Sequence, residues 1–267
     1  MSKELPQGPA TIRWQPDKQY GFAGVVILAG KRSEIFLDDD EKRLIARLRN
    51  EAGKLHPHYV GFDGAMKRFL DFMPDGLRGN TSDTMERTYK QTAAMALAQV
   101  LPLDAAIHAS DDDAERVAHG RCWINILSQF ESMRLKDVLD GPNGGAFLRS
   151  AARFASGDFA DGGRGMDKAV QPHGRISWPM ATYFPYLWDF QQHMFLKPLV
   201  TIDFSERVGH HFHDDYKAEI NAQTYESLLD LVGATRAAID TLEPRDNIDI
   251  QSFIWVVGKY EEDDLKT

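Results

Sequence analysis

Apolar residues recur at helical spacing along much of this 267-residue chain, and no other sequence feature limits its fold more. Leu44, Ile45 and Leu48 follow the aspartates at 38–40, and a second apolar stripe follows the aspartates at 111–113. Carboxylates in the first turn of a helix cap free N–H groups and favour the helix dipole. We therefore interpret both aspartate runs as helix starts, since neither has the spacing of an EF-hand calcium loop.

Other signals predict helices elsewhere in the chain. The segment "PLVTIDFSERV" predicts a helix that ends at Gly209, and Asp246 is placed to cap a helix over "NIDIQSFIWVV". Pro179 can open a helix, although a strand over the same aromatic segment competes with it. Asp83 and Glu86 have the spacing of a capping box.

Two short segments predict strands among these helices. "HMFLK" at 193–197 is the better candidate, and the β-branched residues at 253–257 also suit a strand. The glycine-rich segment 157–173 predicts a long loop or a boundary. We expect an α+β fold that is predominantly α-helical with a small β element. If the chain divides, it has an N-terminal helical lobe (1–157) and a C-terminal aromatic-rich α+β lobe (158–267); a single domain is the alternative.

The composition limits the compartment and the partners. A net charge of −9 and a pI near 5.5 argue against broad electrostatic adhesion to nucleic acid or anionic lipid. Cys122 is the single cysteine, which excludes an internal disulfide, a thiolate zinc cage and a CxxC pair. No apolar run reaches the roughly 20 residues that span a bilayer, and the start lacks a signal peptide. We expect a cytoplasmic protein with no membrane partner.

Several common catalytic signatures are missing from the sequence. It contains no GxSxG elbow, no HExxH helix and no kinase signature set. "GFAGVVILAG" lacks the GxGxxG order, and "GGRG" lacks the Lys-Ser/Thr of a P-loop. We interpret Gly21, Gly24 and Gly30 as turn glycines around a buried "VVIL".

The segment "RVGHHFHDD" concentrates side chains that bind metals. If it is extended, His211 and His213 point to one side; if it is helical, His210, His213 and Asp214 share a face. Either arrangement suits zinc, nickel or iron. The metal candidates are His210, His211, His213 and Asp214, with Asp215 as a further one. The competing interpretation is a solvent-exposed connection without a metal.

Basic residues outnumber acidic ones across the glycine-rich region. Phe154, Phe159 and Trp178 lie among or beside them, so we consider a groove that stacks nucleic-acid bases. Solvated helix faces of mixed charge are the competing interpretation. The candidate nucleic-acid or anion-binding residues in this region are Arg149, Arg153, Arg164, Lys168 and Arg175.

A second charged constellation lies in "EPRDNIDIQ". Arg245 and Asp249 could lie at the mouth of a pocket, to which the segment "HMFLKP" would contribute His193 and Lys197. If they converge, Lys197 and Arg245 would clamp an anion. The competing interpretation is a capped element with surface ion pairs.

The motifs "SWPMATYFPYLWDFQQHMFLKPLVT" and "PRDNIDIQSFIWVV" resemble signatures of a bacterial protein family to which no activity is assigned. The resemblance extends from "GFDGAMKRFLDFMP" to the C-terminus and implies no catalytic residue. Similar "WP…HMFLKP" segments accompany DNA restriction or defence systems, which implies a nucleic-acid context.

Three classes of function remain open from the sequence. We expect a non-catalytic binding or adaptor module, with nucleic acid or another protein of the same system as its partner and no cofactor. The alternative is an enzyme that depends on a divalent metal at 210–215 and uses metal-activated water. A module for protein partners would instead expose an apolar patch formed by Tyr183, Phe184, Tyr186 and Trp188.

Overall fold

In a computed structural model, which describes residues 2–56 and 58–261, the amino-terminal part of the chain forms an antiparallel sheet with one helix packed on it. The elements of this sheet unit are β1 (Lys3–Gln7), β2 (Ala10–Asp17), β3 (Gly21–Leu28), β4 (Lys31–Arg32), β5 (Phe36–Asp38) and α1 (Glu41–Gly53). The first three strands are neighbours in chain order, and β4 and β5 both pair with β3. Alternating side chains such as Ile12 and Val26 pack against Leu44 and Leu48 of α1, so the unit has a small core of its own.

The remaining described chain forms a helical body. Its helices are α2 (Gly61–Phe72), α3 (Asn80–Ser82), α4 (Thr88–Val100), α5 (Leu103–Ala106), α6 (Asp111–Ala118), α7 (Gln129–Leu139), α8 (Gly144–Ala155), α9 (Phe159–Val170), α10 (Trp178–Trp188), α11 (Pro198–Val208), α12 (Phe212–Asp215), α13 (Ala222–Ala238) and α14 (Asn247–Lys259), with a π turn at Asp83–Arg87 and 3₁₀ turns at Gln171–His173 and Asp240–Leu242. Helix makes up 60% of the structure and strand 10%, which confirms the α+β, mainly helical class. Within the described ranges, no helix is both long and apolar enough to cross a bilayer.

The sheet lies at a different place from the strands that the sequence predicts. Residues 193–197 are irregular, and 253–257 lie inside α14, where a cap at Asp246 and burial on nearly every side favour a helix. The interpretation of Gly24 as a turn glycine is also wrong, because this residue lies inside β3. A Cβ at Gly24 would meet Cδ1 of Leu48 at 2.5 Å, so glycine lets α1 approach the sheet closely.

Most helix ends follow the sequence signals. The aspartates at 38–40 and 111–113 lie at the starts of α1 and α6, as predicted. Gly209 ends α11 in the left-handed conformation with a φ of 72°, and the side chain of Asp246 caps α14. The capping-box prediction for Asp83 is wrong, because this residue begins the π turn that joins α3 to α4.

The glycine-rich segment 157–173 is a helix rather than a long loop. It contains α9, which packs closely along α8. A Cβ at Gly162 would meet the backbone nitrogen of Phe154 at 2.6 Å, so the glycine permits this close packing. The main hydrophobic core takes residues from both sides of position 157. The division of the chain into two lobes there stays a prediction.

The aromatic segment forms the centre of the helical body. It is the helix α10, as the Pro179 signal predicts, and Pro185 lies inside it. Tyr183, Phe184 and Tyr186 are completely buried, and Trp188 is half-buried with its indole N–H donating to a backbone carbonyl. These four side chains are therefore core residues rather than an exposed docking patch.

Candidate functional site

A network of buried charged side chains crosses the helical body between α4 and α14. Lys90 is fully buried, and all three of its ammonium N–H groups are engaged. The acceptors are Glu86 Oε2 at 3.0 Å, Ser252 Oγ at 3.1 Å and the side-chain oxygen of Gln251. Burial lowers the pKa of Lys90, and the carboxylate of Glu86 opposes that shift. The hydroxyl of Tyr260 donates to the other oxygen of Glu86 at 3.0 Å.

Two arginines extend this network. Arg87 donates to a carboxylate oxygen of Asp246 and to one of Asp249, each at 2.9 Å. Arg245 donates through Nε to the second oxygen of Asp249 at 2.9 Å, and this hydrogen bond raises the pKa of Arg245. Both guanidinium groups are therefore bound to carboxylates of the protein itself.

The π turn Asp83–Arg87 places two adjacent residues in the network. Successive side chains on an α-helix point about 100° apart, so neighbours seldom face the same interior. A π turn contains an extra residue and widens the helix locally. Glu86 and Arg87 are consequently both buried, with exposed fractions of 5% and 7%. Such turns are frequent at functional sites.

A cavity of about 560 Å³ lies beside this network, and we call it the Glu86 cavity. Glu86 and Gln251 belong to the network and also line the cavity, next to Lys197. The aromatic lining residues are Tyr89, Phe195, Trp255 and Tyr260. The cavity therefore combines charged and amide groups with four aromatic side chains.

Of the four residues that the sequence suggested for one pocket, Lys197 alone lines the Glu86 cavity. Arg245 and Asp249 bind each other. His193 is buried, and its Nε2 lies 2.8 Å from the carbonyl oxygen of Ala155 in α8. The guanidinium of Arg245 is thus engaged by a carboxylate, and an anion clamp formed with Lys197 stays a prediction.

The basic candidates of the glycine-rich region are exposed on α8, on α9 and just after them. Arg149 donates to a backbone carbonyl, and Arg164 forms an ion pair on its own helix. Phe154 and Trp178 are buried in the core, so neither ring is accessible to a nucleic-acid base. Nucleic-acid binding stays a prediction for Arg149, Arg153, Arg164, Lys168 and Arg175.

The histidine segment lies where the sheet unit meets the helical body. His210 and His211 are buried with their ring centroids 4.3 Å apart, and Asp230 of α13 lies beside them. Oδ2 of Asp230 is 3.1 Å from Nε2 of His210 and 3.6 Å from Nε2 of His211. The structure thus adds Asp230, which sequence reasoning missed, to two of the predicted metal candidates.

The surroundings of His211 favour a neutral imidazole. Burial, and to a lesser extent nearby positive charge, lowers the pKa of His211 to about 4. Its Nδ1 lies 3.2 Å from the side-chain oxygen of Asn50, an acceptor that favours the tautomer with the ring proton on Nδ1. The lone pair on Nε2 therefore faces carboxylate oxygens of Asp215 and Asp230, each 3.6 Å away.

Two other predicted metal candidates pair with each other. Nε2 of His213 is 3.0 Å from Oδ2 of Asp214, and Nδ1 is 2.7 Å from the carbonyl oxygen of His210. Asp214 also accepts a hydrogen bond from Gln7 of β1. In this arrangement His213 and Asp214 help to dock the sheet unit on the body.

Comparison with protein families, with curated proteins and with solved structures found no match to this chain. Its function is therefore inferred from the geometry of its own residues.

One residue of the buried network that the sequence analysis did not identify has a sequence signal for its burial. Lys90 lies on the same helical stripe as Ala93 and Leu97, and a charge on an apolar stripe indicates a buried partner. Asp230 has no such signal, because it lies 20 residues after His210 on an exposed position of α13.

Proposed function

We propose that this chain is a binding protein whose ligand occupies the Glu86 cavity. The observation that supports this most is the position of Glu86 and Gln251, which join the buried network to the cavity wall. Buried charges cost free energy of desolvation, so their retention beside a cavity favours a binding role there. A volume of about 560 Å³ suits a small organic ligand.

The lining of the cavity favours a planar ligand. Tyr89, Trp255 and Tyr260 contribute aromatic side chains to the wall, and aromatic faces stack on heterocyclic rings. The amide oxygen of Gln251 accepts a hydrogen bond from Lys90, which orients the amide. Its NH₂ group can then donate to an acceptor on the ligand.

Lys197 contributes a cationic group to the same wall. Its ammonium donates to the carbonyl oxygen of Ile126 at 3.1 Å and lies 3.8 Å from Glu131. An ammonium has three N–H donors, so donors remain for an anionic group of the ligand. A heterocyclic base joined to a phosphate combines these features, and we propose a mononucleotide as the ligand.

Isothermal titration with a series of mononucleotides and the matching nucleosides tests this proposal. Trp255→Ala should weaken binding of both sets by about 1–3 kcal/mol, since stacking involves the base. Lys197→Met should weaken binding of the mononucleotides alone by about 1.5–3 kcal/mol, because only they carry the anion.

Lys42→Met, which removes an exposed lysine on α1, is the matched control. It should leave both affinities unchanged. Failure of every mononucleotide to bind, or an equal effect of the two lysine variants, would overturn the proposal. Larger partners, namely nucleic acid or another protein, stay predictions.

A further inference from the structure

Two histidines and two carboxylates converge where the sheet unit meets the helical body. His210, His211 and Asp230 each place one ligand atom within 4.8 Å of the others, and Asp215 lies close to His211. We propose that His210, His211 and Asp230 bind one divalent transition-metal ion. None of these residues lines the Glu86 cavity, so this site is independent of the function proposed above.

The two distances from Asp230 to the histidines are close to those around a tetrahedral ion. Metal–ligand bonds of about 2.0–2.2 Å at tetrahedral angles place neighbouring ligand atoms about 3.3–3.5 Å apart. The two imidazole Nε2 atoms of His210 and His211 lie 3.1 and 3.6 Å from Oδ2 of Asp230. All three ligand atoms lie within 4.8 Å of one another, so side-chain movements would bring them to one ion.

The arrangement around His211 favours a cation. Asn50 favours the tautomer with the ring proton on Nδ1, so Nε2 offers a lone pair. Carboxylate oxygens of Asp215 and Asp230 face that lone pair at 3.6 Å, which is too long for a hydrogen bond. A lone pair opposite two negative charges is electrostatically unfavourable, and a cation between them makes the same contacts favourable.

The neighbouring residues hold the ligands in place. Asn50 of α1 orients His211, as outer partners of metal-binding histidines commonly do. Ser227 donates to one oxygen of Asp215 at 2.8 Å, and Arg49 binds the other. Asp215 is thereby held as a nearby negative charge. Asp230 is 62% exposed in its side chain and can turn towards the ion.

Binding at His210 requires one proton to move. The backbone N–H of Phe212 donates to Nδ1 of His210 at 3.2 Å, so this ring carries its proton on Nε2 and donates it to Asp230. An ion at Nε2 displaces the proton, which moves to Nδ1 and ends the hydrogen bond from Phe212. The amide resonance of Phe212 should therefore shift when the metal binds.

The ligand chemistry selects the class of metal. Two imidazole nitrogens and one carboxylate suit zinc, nickel, cobalt or iron, whereas magnesium and calcium take oxygen ligands. Three protein ligands leave a fourth position for water, as in sites where a metal can also act on a substrate. The exposed side of Asp230 gives that position access to solvent.

Zinc titration of the full chain tests the site. The protein is purified without a histidine tag, stripped with a chelator and titrated with Zn²⁺ by calorimetry. The wild type should bind one ion per chain. Asn50→Ala should weaken binding about 10-fold to 100-fold as an outer partner, and His211→Ala and Asp230→Asn should weaken it further.

The controls remove the same chemical groups outside the site. His108→Ala removes an exposed histidine, and Glu226→Gln removes an exposed carboxylate one turn before Asp230 on α13. Neither should change the zinc affinity. Asp230→Asn alters an exposed side chain, so it is expected to fold and is decisive by itself. The proposal is overturned if the wild type binds no stoichiometric Zn²⁺, or if Asp230→Asn binds it as tightly as Glu226→Gln.

Discussion

Lys90 shows what a fully buried charge requires of its surroundings. Each of its ammonium hydrogens has an acceptor, and Glu86 supplies the opposite charge at 3.0 Å. A buried ion pair stabilises a fold little compared with apolar side chains of the same volume. Loss of one member is costly, however, because the other charge stays buried without a partner. Lys90 and Glu86 therefore depend on each other for their burial.

We expect Lys90→Met to lower the free energy of unfolding by about 3–5 kcal/mol, because Glu86 loses its counter-charge inside the protein. Urea unfolding should show a lower midpoint with an unchanged slope. Lys67→Met removes an exposed lysine that pairs with Asp71, and this control should cost less than about 1 kcal/mol. Equal losses in the two variants would contradict the prediction.

The sequence contains a local signal for the burial of Lys90, which our sequence analysis did not use, but no signal for most of its partners. Its position on an apolar stripe and its spacing from Glu86 are local features that can be read directly. Gln251 and Ser252 lie 161 and 162 residues further along the chain. Only the three-dimensional packing of α14 against α4 brings them to the ammonium, and no local pattern encodes that distance.

At the scale of the helices, glycine has two opposite effects. Gly162 in α9 faces α8 so closely that a Cβ would lie 2.6 Å from a backbone nitrogen. Gly233 in α13 has open space where its Cβ would be, since no heavy atom of residues 2–56 and 58–261 lies within 4 Å. Glycine lowers helix stability relative to alanine unless packing requires it. Packing requires glycine at position 162, whereas glycine at position 233 only lowers the stability of the helix.

We expect Gly162→Ala to destabilise the protein by about 1–3 kcal/mol, because the backbone of α8 must move to admit the methyl group. Gly233→Ala should instead raise the free energy of unfolding by about 0.5–1 kcal/mol. Chemical unfolding of both variants measures this contrast. A change of the same sign in the two variants would show that the α8–α9 contact does not need the glycine.

Elements with local signals were predictable, and those defined by distant packing were not. The end of α11 at Gly209 and the start of α14 at Asp246 depend on residues within one turn. The glycine cluster of α9 predicts a loop from the sequence alone, because the close packing against α8 that requires glycine has no local sequence signal. Likewise, the sequence predicts a turn at Gly24, because the close approach of α1 to β3 that requires this glycine cannot be inferred from neighbouring residues.

At the scale of the whole molecule, two hydrophobic cores meet along α1 and the connection after α11. A Cβ at Gly53 would lie 2.3 Å from the carbonyl oxygen of Gly209, so the two backbones are in close contact there. Arg49 donates to Gln7 at 2.9 Å and binds Asp215 of the helical body. Close packing and one largely buried arginine therefore hold the sheet unit in place.

We expect Arg49→Met to weaken this docking without unfolding the helical body. Hydrogen exchange should become faster in β2 and α1, whereas the amides of α14 should keep their protection. Arg47→Met, which removes a more exposed arginine from the same helix, should leave both regions unchanged. Faster exchange in α14 as well as in α1 would mean that the two cores unfold as one unit.

The buried charges also bear on the order in which the helices can pack together while the chain is being synthesised. Gln251 enters the growing chain 161 residues after Lys90, and Asp246 enters 159 residues after Arg87. Until the ribosome has made α14, Arg87 lacks Asp246 and Lys90 lacks Gln251 and Ser252, so we expect these cations to stay hydrated. We therefore expect the helical body to pack around α4 only after α14 has been made, and a nascent chain stalled before that helix to stay accessible to chaperones and proteases.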